Sequence, residues 1–455
     1  MELQNRKHAT ETALPTSHIG EVVEAGRTRD EKDLIRLGKK PVLKASYTHI
    51  RNFGFMSILG FSCTVLITWE GMLIVSTQSL LNGGPAGVIW GYIIVWIGTI
   101  STFVVLSELA SIWVAMLAPD RSKRFLSYIT GWMTFVGWQA VTASAAYLIG
   151  TLFQSIILMT KSDYIPKPWQ SMLFLWAILA FAVVINTVAS KTLAHFEGVI
   201  LVLHVLGFFA VLIPLVYLSP HGNTSLFTTF VNGEEIKKAS IVVPRAMLSG
   251  LILNGVLGFA MMIAYLFCLG DLDDVLNAQE TLGYPFLYVF QTGTGSTAGA
   301  AVMGLIVVAL GVCSTVGALA SSSRMLWSFA RDRGVPLWRY WVKLDRRTSI
   351  PIYTIAFTTM VSILLSLIIL GSGVAFNNIV NLSIAGLYSS YLVCCGMLLW
   401  RRLQSRKIKA YDPRIIIYGA DDLHWGPWRI PGILGVVNNL FACILVMCVA
   451  SPSEI

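Results

Sequence analysis

Glu70 stands in the middle of an apolar stretch that reads "SILGFSCTVLITWEGMLIVSTQ" over residues 57–78. A carboxylate at the centre of a membrane helix costs about 2.5–3.5 kcal/mol on insertion scales, so such residues face the protein interior and serve substrates or protons. Thr68 precedes Glu70 and Gly71 follows it. A polar, glycine-containing interruption at mid-span is a usual pointer to a transport site. Glu70 can therefore pair with a substrate ammonium group or relay a coupling proton. The plainer alternative is a protonated Glu70 packed against a neighbouring helix. Trp69 beside it either offers its π-face to a cationic amine or faces lipid.

Two further polar stretches qualify as lining. One is "GWQAVTASAAY" (137–147), with Gln139, Thr142 and Ser144; the other is "GVCSTVGALASSS" (311–323), with Ser314 and Thr315. Their small residues equally suit close helix packing. Asn377, Asn378 and Asn381 are candidates for a gate or for helix-to-helix bonds. The run "GTGSTAG" (293–299) is no phosphate cradle, because it lacks a GK[ST] and a strand and falls in a predicted outer loop. Asn223-Thr224-Ser225 is a formal glycosylation acceptor. The seven cysteines all lie in apolar stretches without a CxxC, so neither zinc nor a disulfide framework is indicated. No Ser–His pairing or His/Cys/Asp cluster points to an enzyme, a metal or a cofactor.

The composition says what must position these residues. The chain is 55% hydrophobic and 13% charged over 455 residues, whereas a soluble domain is about a quarter charged. The net charge of +9 resides between apolar runs, as in cytoplasmic loops, and does not indicate nucleic acid. Residues 1–50 are polar, without an apolar signal region, and read as a disordered tail. About 20 apolar residues cross a bilayer as a helix. Ten candidates follow: 54–79, 86–109, 126–157, 169–189, 197–218, 243–269, 297–323, 350–371, 377–400 and 432–450. The fold class is all-α, a polytopic membrane protein, because backbone groups in lipid must be satisfied within each segment.

Lys and Arg orient the spans, and two halves of the chain disagree. Lys39, Lys40, Lys44 and Arg51 put the N-terminus inside; Arg121, Lys123 and Arg124, then Lys191, are inside too, with Lys161 and Lys167 an exception. The span at 197–218 then ends outside. Further on, 271–296 has acidic residues and no basic one, while Arg324, Arg331, Arg333, Arg339, Lys343, Arg346 and Arg347 are inside, as are five basic residues in 401–409. That half requires the span at 243 to start inside. One span is therefore missing between about Leu226 and Glu234, unless 126–157 has been miscounted. For the chain as it stands, the expectation is that Lys237 and Lys238 are cytoplasmic and that the fifth span is tilted, re-entrant or poorly inserted.

"SRMLWSFARDRGVP" (323–336) resembles the cytoplasmic signature of the amino acid–polyamine–organocation permeases. "NGGPAGVIWGY" (82–92), "SELAS" (107–111), "EEIKKASIVVPRA" (234–246) and "GPWRIPG" (426–432) resemble their fungal amino acid, GABA and choline permease branch. The resemblance runs from about Tyr47 to Val449. It implies twelve helices with two inverted five-helix repeats, spans one and six being broken at mid-membrane to bind substrate. Three departures stand out. A Pro-Thr-Ser-Gly-Gly-like run after "SELAS" is absent, span six is absent between Gly233 and Glu234, and the chain stops at Ile455 where a twelfth span is expected. The implied organisation is a tail (1–50) and a permease domain (51–455), with a first repeat at 54–218, an incomplete second at 243–400 and an extra span at 432–450.

The implied function is secondary, proton-coupled transport of an amino acid or a small amine such as GABA or choline. The substrate-binding residues would be Thr68, Trp69, Glu70, Gly71, Gln139, Ser314 and Thr315, with Glu70 also coupling the proton. The membrane would be the plasma membrane, or else the vacuolar one. The rival reading is a transport-inactive variant or a nutrient sensor; a channel is more distant, since no ring of pore-lining charge is visible.

Overall fold

The computed structural model describes residues 55–81, 83–109, 117–119, 121–161, 163–189, 193–222, 227, 244–345, 348, 350–404, 408–409, 424–425 and 428–450. Among them the regular structure is helical. The helices are α1 Phe55–Leu66, α2 Thr68–Ile74, α3 Ser76–Leu81, α4 Gly84–Leu109, α5 Lys123–Thr160, α6 Pro168–Thr187, α7 Leu193–Leu218 and α8 Pro244–Phe267. They continue with α9 Leu272–Leu282, α10 Pro285–Thr294, α11 Thr297–Arg331, α12 Trp338–Trp341, α13 Ile352–Ser366, α14 Ile368–Gly371, α15 Gly373–Leu403 and α16 Gly432–Ala450. Eight stretches are long and apolar enough to cross a membrane, and two shorter apolar ones, Ile58–Ile74 and Gly432–Cys448, accompany them. All ten candidate spans are thus helices. Residues 1–50, Lys237, Lys238 and the asparagine at 223 lie outside the described residues.

The outer segment 271–296, expected as a loop, holds α9 and α10. Their start and stop signals are local. Asp271 caps α9 by accepting from the Asp273 and Asp274 amides at 2.9 and 3.2 Å. Pro285 opens α10. Gly283 and Gly295 end the two helices in the left-handed conformation. The glycine-rich run at 293–299 is therefore the junction of α10 and α11 rather than a free loop.

Helices α1–α3, α7 and α8 run in the same direction. Close to the start of α1, a Cβ on Gly60 would meet the Glu197 backbone of α7, and one on Gly250 of α8 would meet Ser62. Eighteen residues further along each helix, the other ends also meet: the Cys268 thiol donates to the Leu215 carbonyl at 3.4 Å. Just beyond, Gly222 N–H donates to the Phe267 carbonyl at 2.6 Å. Consecutive helices α7 and α8 are therefore parallel. The link from Phe227 to Pro244 must join opposite ends of the bundle. The fifth span, α7, is a continuous 26-residue helix packed against α1.

Where α4, α15 and the start of α16 meet, two of the resemblance motifs come together. Glu108 of "SELAS" is fully buried and accepts from Arg402 Nη2 through both oxygens, each at 2.7 Å. It also accepts from the Ile430 amide of "GPWRIPG" at 2.6 Å. Arg402 in turn reaches the Gly435 carbonyl and lies 5.1 Å from the Trp425 ring centroid. The cluster ties α4, α15 and the start of α16. Breaking one partner of a buried pair leaves an uncompensated charge, at about 3–5 kcal/mol. Arg402→Ala should accordingly lower the chain's melting temperature in detergent and its yield of monodisperse protein. Recovery in an Arg402→Ala, Glu108→Gln double variant would attribute the loss to the orphaned carboxylate.

Candidate functional site

Span one is interrupted at Ile67, which has φ 30° and ψ 52°. A β-branched residue with positive φ is a backbone outlier, of the kind that structures hold at functional sites. The helical bonds close around it: Ile67 N–H donates to Cys63 at 3.1 Å and Gly71 N–H to Ile67 at 2.7 Å. The i to i−4 bonding therefore continues through Ile67 as donor and as acceptor. The next three residues are Thr68, Trp69 and Glu70.

Glu70 points at α7. Its Oε1 lies 2.7 Å from His204 Nδ1, and both side chains are buried, at 0% and 1% exposure. Trp69 is also fully buried. Its ring lies 6.0 Å from the imidazole and 6.1 Å, edge-on, from Phe208. Gly207 lies against α11 instead: a Cβ there would sit 3.0 Å from Ile306 and 3.1 Å from Leu310, and at ordinary contact distance, 3.7 Å, from the Trp69 ring. Three polar atoms at this locus have no hydrogen-bond partner among the described residues: Glu70 Oε2, His204 Nε2 and Trp69 Nε1. Buried polar atoms are nearly always paired, so three together mark a place built to receive something polar. The space beside Gly71 is open, with only Ile67 Cγ1 within 4 Å of a notional Cβ. An acceptor oxygen, an imidazole nitrogen and an indole can hold an ammonium group, and a carboxylate–imidazole pair can hold and pass a proton.

The other sequence candidates are placed differently. Thr68 packs its methyl towards Gly258 of α8, 2.8 Å from a Cβ there. The Gln139 amide donates to Thr358 of α13 at 3.1 Å, away from Glu70, and its carbonyl oxygen has no partner. Thr315 returns its hydroxyl to the Gly311 carbonyl at 3.1 Å, a helix-internal bond. Ser314 is buried, one turn beyond Leu310; Leu310 itself flanks Gly207. The structure thus brings together Trp69, Glu70 and open space at Gly71, and adds His204, which the sequence reading passed over.

A family model described as amino acid permease matches residues 53–236 and 231–454. The chain belongs to the amino acid permease family. A choline transporter of Saccharomyces cerevisiae is 26% identical over 390 residues, covering 76% of this chain and 69% of its own. Amino-acid permease 2 of Neurospora crassa is 24% identical over 466 residues, covering 90% and 79%. A polyamine transporter of S. cerevisiae is 24% identical over 449 residues, covering 88% and 70%. The family's members named here are transporters rather than enzymes.

This permease carries a third fully buried acid, besides Glu70 and Glu108. Glu197 is fully buried near the start of α7, and neither carboxylate oxygen has a hydrogen-bond partner among the described residues. Thr64 of α1 stands beside it, with its hydroxyl committed to the Gly60 carbonyl at 2.8 Å. His204 and Glu197 were both legible in principle, as ionisable residues inside the apolar run 197–218.

Proposed function

We propose that the chain is the framework of a secondary transporter for amino acids or small amines, with protons as the coupling ion. The observation that carries the reading is the buried Glu70–His204 pair beside Trp69, with one unpartnered polar atom on each residue. A substrate ammonium fits the open Glu70 oxygen and the indole face; Thr68, Gly71, Gln139, Ser314 and Thr315 are its further proposed contacts. Glu70 is the proposed proton carrier, with His204 as its partner. The relatives named as choline, amino acid and polyamine carriers support a cationic or zwitterionic small molecule. Movement of one repeat, proposed at 54–218, against the other, at 243–400, would alternate access. The proposed location is the plasma membrane, with the vacuolar membrane as the alternative.

A second reading, binding without transport, is favoured by one observation. Helices α7 and α8 run parallel, and the sequence that links them, 228–243, contains no span-length apolar run. The family match also falls into two ranges that meet at 231–236. Uptake of radiolabelled amino acids, choline and polyamines into cells lacking their own carriers separates the readings, set beside equilibrium binding to the purified chain. Saturable, uncoupler-sensitive uptake supports the transporter; binding with no uptake supports the sensor. Neither binding nor uptake for any of these classes overturns the proposed substrate range.

A further inference from the structure

The segment joining α11 to α13 does more than mark a cytoplasmic end. Its basic residues are set against aromatic rings: Arg331 lies 4.9 Å from the Trp327 ring centroid, Arg333 and Arg339 lie 4.9 and 5.5 Å from that of Trp338, and Lys343 lies 4.7 Å from that of Tyr340. Stacking of this kind holds cations in place instead of leaving them to wave in solvent. The backbone beneath them is also fixed. Arg333 and Leu337 both adopt left-handed φ, 59° and 55°. Gly334 packs so closely on the Phe329 ring that a Cβ would collide with it. Trp341 Nε1 donates to the Pro336 carbonyl at 2.9 Å and Trp327 Nε1 to the Val342 carbonyl at 3.1 Å. Val335 is buried against Phe135, Leu326 and Ala330.

What this platform exposes is a mixture with one natural partner. Leu337 and Tyr340 are 66% and 55% exposed although apolar, and Arg333, Arg339 and Lys343 are exposed around them. Over residues 324–345 there are five basic residues against Asp332 and Asp345. Asp345 is turned inward to cap Thr348, its oxygen accepting from the amide and hydroxyl at 2.8 and 2.7 Å. Asp332 is exposed and opposes the field. The patch follows directly on α11, a helix long and apolar enough to cross a membrane.

We propose that residues 333–343 form a binding surface for an anionic phospholipid headgroup of the cytoplasmic leaflet. Arg333 and Arg339 take the phosphate, Lys343 a neighbouring headgroup charge, and Leu337 and Tyr340 enter the acyl boundary. Lys and Arg near an anionic surface each strengthen attraction, and aromatic side chains prefer this depth.

The test uses the full chain purified in mild detergent, with lipid retention read by native mass spectrometry. Phosphatidylserine should be retained in preference to phosphatidylcholine. Arg333→Gln with Arg339→Gln should cut the phosphatidylserine adducts about tenfold. Lys161→Gln with Lys167→Gln, at the opposite end of the bundle, should leave them unchanged. Equal retention of both lipids, or an equal drop in both double variants, overturns the proposal. Competition by inorganic phosphate as strong as by the lipid would assign a soluble anion and overturn it as well. Arg339→Gln alone, outside the left-handed turn, keeps the test open should the double variant not fold.

Discussion

Glu70→Gln should flatten the pH profile of uptake between pH 5 and 8 in any form of the chain that transports. The side chain keeps its size and an acceptor oxygen, and its amide can still meet His204 Nδ1, now 2.7 Å from the carboxylate. What it loses is the ability to gain and release a proton. If Glu70 also holds the substrate ammonium, a charge-assisted bond worth about 1.5–3 kcal/mol disappears, and the apparent KM rises about tenfold or more. The two roles separate in the data: a raised KM with the pH profile intact assigns Glu70 to substrate alone, and a flattened profile with KM retained assigns it to the proton alone. His204→Gln is the complementary measurement. It removes the partner imidazole and leaves the carboxylate, so it should move the pH dependence while sparing substrate selectivity. Uptake unchanged in both variants would mean that the pair only packs α2 against α7.

Much of this was legible because hydrophobic length is a strong signal in a membrane chain. All ten spans were there to read, and Glu70 declared itself as a lone carboxylate in one of them. The missing half of the pair was less visible. His204 sits 134 residues away, in a run read only for length, and a single histidine in an apolar helix does not say which neighbour it meets. That information lies in packing: α7 sets His204 2.7 Å from Glu70 and 6.0 Å from the Trp69 ring. Gln139 and Thr315 show the converse. Their polar types suggested lining, yet Gln139 bonds to Thr358 and Thr315 to its own helix. A polar residue in a span satisfies its nearest neighbour first, and the sequence does not show who that neighbour is. The helices α9 and α10 failed to register for another reason: 271–296 was read for charge, and its capping residues Asp271, Gly283, Pro285 and Gly295 were not weighed.

Placing a span-length apolar segment between Gly233 and Glu234 should raise the amount of the chain at the cell surface several-fold, and with it any uptake. The argument is geometric. The ends of α7 and α8 that carry Leu215 and Cys268 are in contact, as are their opposite ends through α1. The link between them must reach across the bundle. Phe227, at the α7 end, accepts from Trp90 Nε1 at 3.3 Å, so the crossing falls to residues 228–243. Sixteen residues rise about 24 Å as a helix, short of the roughly 30 Å of a hydrocarbon core. In extended form they would reach, but at the cost of backbone groups unpaired in lipid. Glu234, Glu235, Lys237 and Lys238 belong to this stretch, and a charge that enters hydrocarbon costs about 2.5–3.5 kcal/mol on insertion scales. An inserted apolar helix removes both penalties and returns Lys237 and Lys238 to the end where α8 begins. Surface biotinylation, with an inserted polar segment of equal length as the control, measures the outcome. The polar segment should give no gain, because added reach alone leaves the buried backbone unsatisfied. Equal surface levels with both inserts, or no gain with the apolar one, would mean that the chain crosses by a route that needs no additional span.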